Sequence, residues 1–170
     1  HKDVPMKDSG VKWIGMIPEH WKIEPFGRHF SYGKGLPITK ADLTTEGVAV
    51  ISYGQIHSKR NIGTTMDDSL VRYVNHKYLG TSPQCLLNKN DFVFADTSED
   101  IEGCGNFAFN DRNESIFAGY HTIIVRPKDI LQPKYYAYLF QSKKWKSQVQ
   151  TLVNGVKVFS ISRGCLLYTS

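Results

Sequence analysis

The 170-residue chain has no apolar run approaching the ~20 residues a bilayer span requires. Val48 to Ile51 and Ile123 to Val125 are far shorter, so no membrane span is expected. The N-terminus has no basic region leading into an apolar stretch and a small-residue cleavage site, and a cytoplasmic protein is the expectation. Cysteine is scarce: Cys85, Cys104 and Cys165 form no CxxC pair. That spacing argues against zinc and against a disulfide framework, and leaves three small, half-buried apolar residues.

Catalytic signatures are missing as well. No lysine has Asp or Glu two positions before it, the arrangement by which common metal-dependent nucleases bring both groups to one phosphate. An amino-methylating DNA enzyme needs Asn or Asp before a Pro-Pro pair, whereas all seven prolines are isolated and none follows Asn or Asp. Gly33-Lys34-Gly35 lacks the upstream glycine and following hydroxyl of a phosphate-binding loop, and Gly103-Cys104-Gly105 is equally weak as a dinucleotide motif. No Gly-x-Ser-x-Gly elbow occurs. His20, His29, His57, His76 and His121 fall in no catalytic signature and are expected at structural or surface positions. A binding module is favoured over an enzyme.

What is present describes one α+β domain. With 41% hydrophobic and 12% aromatic residues, the chain can bury a core, and at this size folding removes roughly two thirds of the unfolded surface from water. The net charge of +5 suits a polyanion partner without requiring one. Residues 1–10 read as a loose lead-in. Val11 to Trp21 is expected to wrap onto a core in extended form. Gly33, Gly35 and Pro37 are expected to break the chain around Lys34, before the buried strand Val48 to Ile51. Tyr53 to Gly63 is expected to be a projecting polar loop. Val71 to Val74 predicts a strand, and Asn75 to Leu79 a helical turn capped by the asparagine oxygen.

Pro83 to Leu87, Asp91 to Ala95, Cys104 to Phe109, Ser115 to Ala118 and Tyr120 to Arg126 are short, turn-bounded apolar runs. They predict a twisted sheet, mostly antiparallel or mixed, or a partial barrel. Between two of them lies the acidic loop Asp96 to Gly103. Trp13, Trp21, Phe92, Phe94 and Phe107 are assigned to the core. Pro133 starts the one convincing helix. Tyr135, Tyr136, Leu139, Phe140, Val149, Leu152 and Val153 continue it to a stop at Asn154-Gly155. Its other face carries Lys143, Lys144 and Lys146, read as a solvated face with phosphate contact as the alternative.

Several stretches resemble a known family. Ser9-Gly10-Val11-Lys12-Trp13-Ile14-Gly15-Met16-Ile17-Pro18-Glu19-His20-Trp21 is similar to the opening of specificity subunits of type I restriction-modification enzymes. Asn90 to Ala95 and Ala118 to Pro127 are similar to the strands before and after the central polar loop of such a subunit. Asn154-Gly155-Val156-Lys157-Val158-Phe159-Ser160-Ile161-Ser162 resembles the end of a target recognition domain. The resemblance runs from about Met6 to about Arg163 and implies one such domain, the N-terminal one, over 11–163, without the long spacer helices and with 164–170 a truncated or non-native tail. It implies a module with no catalysis or cofactor of its own that reads one half of a split, asymmetric duplex DNA sequence. Modification subunits, which bind S-adenosylmethionine and methylate adenine, and restriction subunits using ATP and Mg²⁺ would be its partners.

Within that frame the Tyr53 to Asn61 segment is the first candidate for DNA contact. Lys59 and Arg60 suit phosphates, Gln55 or Asn61 can pair with adenine, and Arg60 can instead read guanine; Tyr53 and His57 complete the set. Thr97, Ser98, Glu99 and Asp100 form the second, because a carboxylate can accept from a cytosine amino group. Lys34, Lys40, Asn154 and Lys157 lie on or beside turns suited to close backbone approach. Two other classes stay open: a small metal-dependent nucleic-acid enzyme using Asp96, Glu99, Asp100 and Glu102, and a β-rich, non-catalytic protein-binding domain.

Overall fold

Along Phe92–Ala95, Phe107–Phe109 and Thr122–Pro127, side chains alternate between two apolar environments, the period-two pattern of a strand buried on both faces. Phe92, Phe94, Phe107, Phe109, Ile123 and Val125 pack toward the helices, while Val93, Ala95, Ala108 and Ile124 pack toward a second sheet. The computed structural model describes residues 4–11, 14–128, 132–153 and 159–161. In it these strands form a four-stranded antiparallel sheet in the order Phe107–Phe109, Phe92–Ala95, Thr122–Pro127, Phe30–Lys34.

The second sheet is mixed. Its order is Leu43–Thr44, Arg72–Val74, Val48–Ile51, Ile116–Ala118, Leu86–Leu87, with only Val48–Ile51 and Ile116–Ala118 parallel among the described pairs. Its inner face adds Ile51, Ile116 and Ala118 to the layer between the sheets. Its outer face, carrying Val48, Val50, Val74 and Phe117, is covered by Leu36 and Ile38. The sheets therefore stack as layers, and no closed barrel forms. Gly35 is required for this covering: its amide donates to Thr122 O at 3.1 Å, and a Cβ there would collide with the Gly119 carbonyl and the Thr122 hydroxyl.

The predicted short strands are all found, though Pro83–Cys85 is a 3₁₀ turn ahead of Leu86–Leu87. Asn75 Oδ1 accepts from Lys77 N at 2.8 Å and closes a turn, but the helix that follows is Tyr78–Thr81, later than the expected 75–79, with Lys77 and not Asn75 at its cap position. Other expectations are corrected. The Phe30–Lys34 strand replaces the expected break: Gly33 and Lys34 end an edge strand paired with Ile123 and Ile124. The lead-in is not loose, because Met6–Asp8 pairs with Met16–Pro18 as a small hairpin. Among the described residues of that hairpin only Ile17 is buried, and Trp21, expected in the core, is 57% exposed. Trp13 lies outside the described residues.

The predicted single helix is two, Pro133–Gln141 and Lys143–Thr151. Ser142 is extended (ψ 141°), and its hydroxyl accepts from Trp145 N at 3.2 Å, so a serine cap restarts the helix. The break brings Phe140 and Trp145 to a ring separation of 4.7 Å in the same core. Lys146, placed on the solvated face of this helix, is half-buried against Asn106 instead. Beneath the helices, Asp91 is buried and its carboxylate accepts from Arg126 Nε and Nη2 and from Asn88 N. Burial pushes its pKa up while Arg126 and the Asn88 amide pull it down, and burial prevails. No described helix is long and apolar enough to cross a membrane.

Candidate nucleic-acid interface

The segment expected to project is largely tied down. Tyr53–Ile56 is a single helical turn whose start is held by Gln55, its side-chain oxygen accepting from Ser52 N at 3.1 Å. A bidentate pair with adenine needs both ends of an amide, and here one end is already engaged. Asn61 is committed further. Its Nδ2 donates to Ile56 O and to Phe107 O, both at 2.8 Å, and its Oδ1 accepts from Gly63 N at 2.9 Å. Asn61 therefore fastens the segment to the four-stranded sheet. Lys59 and Arg60, between these anchors, are exposed on a tight turn.

The acidic loop is also shaped from within. Asp96 N donates to His121 O at 3.1 Å, and Thr97 Oγ1 donates to Asp96 Oδ1 at 2.7 Å. Thr97–Ser98 pairs with Phe159–Ser160, and Ser98 is buried. Asp100 Oδ1 accepts from Gly103 N at 2.6 Å, closing the turn. Glu99 and Glu102 are exposed. Beneath them burial, then Asp100 and Glu102, push the Cys104 thiol pKa up, which suits a buried, unreactive cysteine.

A polar relay joins the two segments. Lys146 Nζ donates to Asn106 Oδ1 at 2.7 Å, Asn106 Nδ2 lies 3.1 Å from His57 Nδ1, and His57 Nε2 lies 2.8 Å from Thr97 O. With the amide donating to Nδ1, the ring hydrogen sits on Nε2 and is donated to the Thr97 carbonyl. Lys146 thus leaves the solvated face assigned to it, and burial lowers its pKa from the usual lysine value. Its two neighbours on the sequence, Lys143 and Lys144, do stay exposed.

Together the segments enclose a cleft of about 560 Å³ lined by Tyr53, His57, Thr97, Glu99, Asp100, Asn106 and Lys146. A second cleft of about 590 Å³ lies alongside, with Lys34, Leu36, Asp96, Tyr120, His121 and Ile161 in its walls. The Tyr53 ring separates them, edge-on to Tyr120 at 5.6 Å and to His121 at 5.4 Å. Burial, and next the neighbouring Tyr53, raise the Tyr120 pKa.

The fold thus gathers Lys34, Tyr53, His57, Thr97, Ser98, Glu99 and Asp100 at one surface. Lys40 is not in either cleft, since its 3₁₀ turn leads into the outer edge of the mixed sheet. Asn154 and Lys157 lie outside the described residues. Asn106, His121 and Lys146 belong to the surface without having been singled out as site residues. Nothing in sequence separates Lys146 from its neighbouring lysines, because only the packing of its helix gives it a partner. Among the described residues, no group of three or more His, Cys, Asp or Glu is placed to hold a metal ion.

The family described as "Type I restriction modification DNA specificity domain" matches residues 25–162. No curated protein matches the chain. Among solved structures, the S subunit of a type I restriction-modification system from M. genitalium is similar over 85% of this chain and 32% of its own, at 16% identity and a TM-score of 0.54. The HsdS subunit from Thermoanaerobacter tengcongensis is similar over 96% of this chain and 34% of its own, at 13% identity and a TM-score of 0.60. A chain from a structure of complex assembly and conformational transition in the type I R-M system gives 96%, 35%, 13% and 0.61 for the same quantities. The chain spans about a third of the length of each of these structures. At such identities the likeness is one of fold.

Proposed function

The chain belongs to the type I restriction modification DNA specificity domain family, and on that premise we propose that it reads one half of a split duplex DNA target. The observation that carries this reading is convergence. Two polar segments far apart in sequence, 53–61 and 97–102, meet at one cleft and are locked together by the Lys146–Asn106–His57 relay. Preorganised side chains lose little freedom on binding, so more of each contact is retained as affinity.

Lys59, Arg60 and Lys34 neutralise phosphates and set the register. Tyr53, Thr97, Glu99 and Asp100 face base edges, Glu99 being suited to accept from a cytosine amino group. The chain has no chemistry or cofactor in this reading. Modification subunits supply S-adenosylmethionine and transfer the methyl group, restriction subunits use ATP and Mg²⁺, and the assembly works on DNA in the cytoplasm.

Titration of the chain with random-sequence duplex across a salt series tests the electrostatic part. Log affinity should fall linearly with log salt, and the double variant Lys59→Ala/Arg60→Ala should flatten the slope by about 1.8. Absence of binding at ~50 mM salt would sink the proposal. Magnesium-dependent cleavage of the duplex by the purified chain would replace it with the enzymatic alternative.

A further inference from the structure

His121 occupies a backbone conformation that few residues other than glycine adopt. Its φ is 53°, in the left-handed region where a β-carbon is disfavoured and glycine would be free. It shares that property with Asn90 alone among the described non-glycine residues. The turn itself does not need the imidazole. His121 O accepts from Asp96 N at 3.1 Å, Tyr120 O accepts from Tyr53 N at 3.3 Å, and Thr122 Oγ1 donates to Gly119 O at 2.7 Å. Main-chain and threonine contacts hold the turn, and a side chain is carried there at a backbone cost.

That side chain is 58% exposed in the wall of the ~590 Å³ cleft, with its ring edge-on to Tyr120 and to Tyr53, a residue of the neighbouring cleft. Its Nδ1 lies 3.4 Å from Asp96 Oδ1, and Asp96 is fixed in turn by Thr97 Oγ1 and by Ile161 N donating to its carbonyl at 2.9 Å. Residues held in sparsely populated backbone regions cluster at functional sites, where the surrounding structure over-determines them.

Resting on the DNA-reading function above, we propose that His121 is a specificity-determining residue whose Nε2, oriented by the Asp96 carboxylate at Nδ1, hydrogen-bonds an exocyclic base amino group. The Nδ1 edge of the ring faces the carboxylate at 3.4 Å, and the neutral tautomer with its hydrogen on Nδ1 leaves the Nε2 lone pair to accept. A phosphate contact is the poorer match, because the Asp96 carboxylate beside the ring repels an anion. Asp96 is the positioning residue.

Selection of the full chain against a random duplex library, with sequencing of the enriched pool, tests this. The wild type should enrich a half-site motif. His121→Gly should enrich the same motif with one position degenerate, bind the wild-type motif roughly tenfold more weakly and keep the salt slope. His121→Asn, which also tolerates the left-handed region, should change the base preferred at that position. Asp96→Asn should blur the same position to a lesser degree and no other. Thermal melting of His121→Gly at or above the wild-type temperature confirms that the fold is intact.

An unchanged motif in both His121 variants would overturn the inference. So would a uniform loss of affinity on all sequences with a flatter salt slope. A wild-type chain that enriches no motif would overturn instead the DNA-reading function on which the inference rests.

Discussion

Between Phe92 and Ala95 every residue is buried and apolar, whereas between Asp96 and Glu102, the next residues along the chain, only Ser98 is buried. In the strand, shape comes from side chains: Phe92 lies 5.0 Å from the rings of both Phe109 and Phe140. In the loop, shape comes from hydrogen bonds to the main chain. Asp100 closes one turn, Thr97 O receives His57, and Gln150 Nε2 donates to Ile101 O at 3.0 Å. The rigid layer needs no polar group, and the loop needs almost no apolar one. A scaffold and a reading surface can therefore sit one peptide bond apart, and loop side chains can change without disturbing the layer beneath.

Substitutions can break this separation or sharpen it. Phe92→Ala should cost the most, about 3 to 5 kcal/mol in chemical denaturation, because it opens a cavity inside a ring cluster. DNA affinity per folded molecule should stay unchanged, and a change there would mean that the two regions are coupled. Asn61→Ala is the case that crosses the boundary. It strands the carbonyls of Ile56 and Phe107 and the amide of Gly63, which should cost about 2 kcal/mol. It should also weaken DNA binding, since the 53–61 segment loses its anchor to the sheet.

Lys146→Met should have the smallest effect on stability, and that effect should depend on pH. Burial places the folded-state pKa of Lys146 below its unfolded value. Folding therefore releases a proton in the window between them, and the wild type gains stability on the variant as pH rises through that window. Denaturation of both proteins from neutral pH up to the ordinary lysine range measures this. Parallel curves would show that Lys146 carries no such burden.

The strands were legible because their residues are β-branched or aromatic, alternate, and end at turn formers; Phe107 to Phe109 and Thr122 to Val125 announce themselves this way. Phe30–Lys34 was not, since its glycine and lysine imitate a break and only the pairing with Ile123 and Ile124 makes it a strand. The helix at 133–151 was visible as apolar spacing, but Ser142 reads equally well inside a helix or at its start. Only the joint burial of Phe140 and Trp145 selects the cap.

By itself the sequence determined a single basic α+β domain, two polar segments suited to DNA, and a family resemblance carried by short motifs. These depend on residue type and near-neighbour spacing, which a linear chain displays. Tertiary structure alone decided that Gln55 and Asn61 serve the backbone, that Lys146 leaves solvent to hold Asn106, and that His121 lies in the wall of a cleft against Tyr53. Hydrogen-bond partners forty or more residues apart, such as His57 with Thr97 and with Asn106, leave no periodic trace, because each contact is set by where whole layers come to rest.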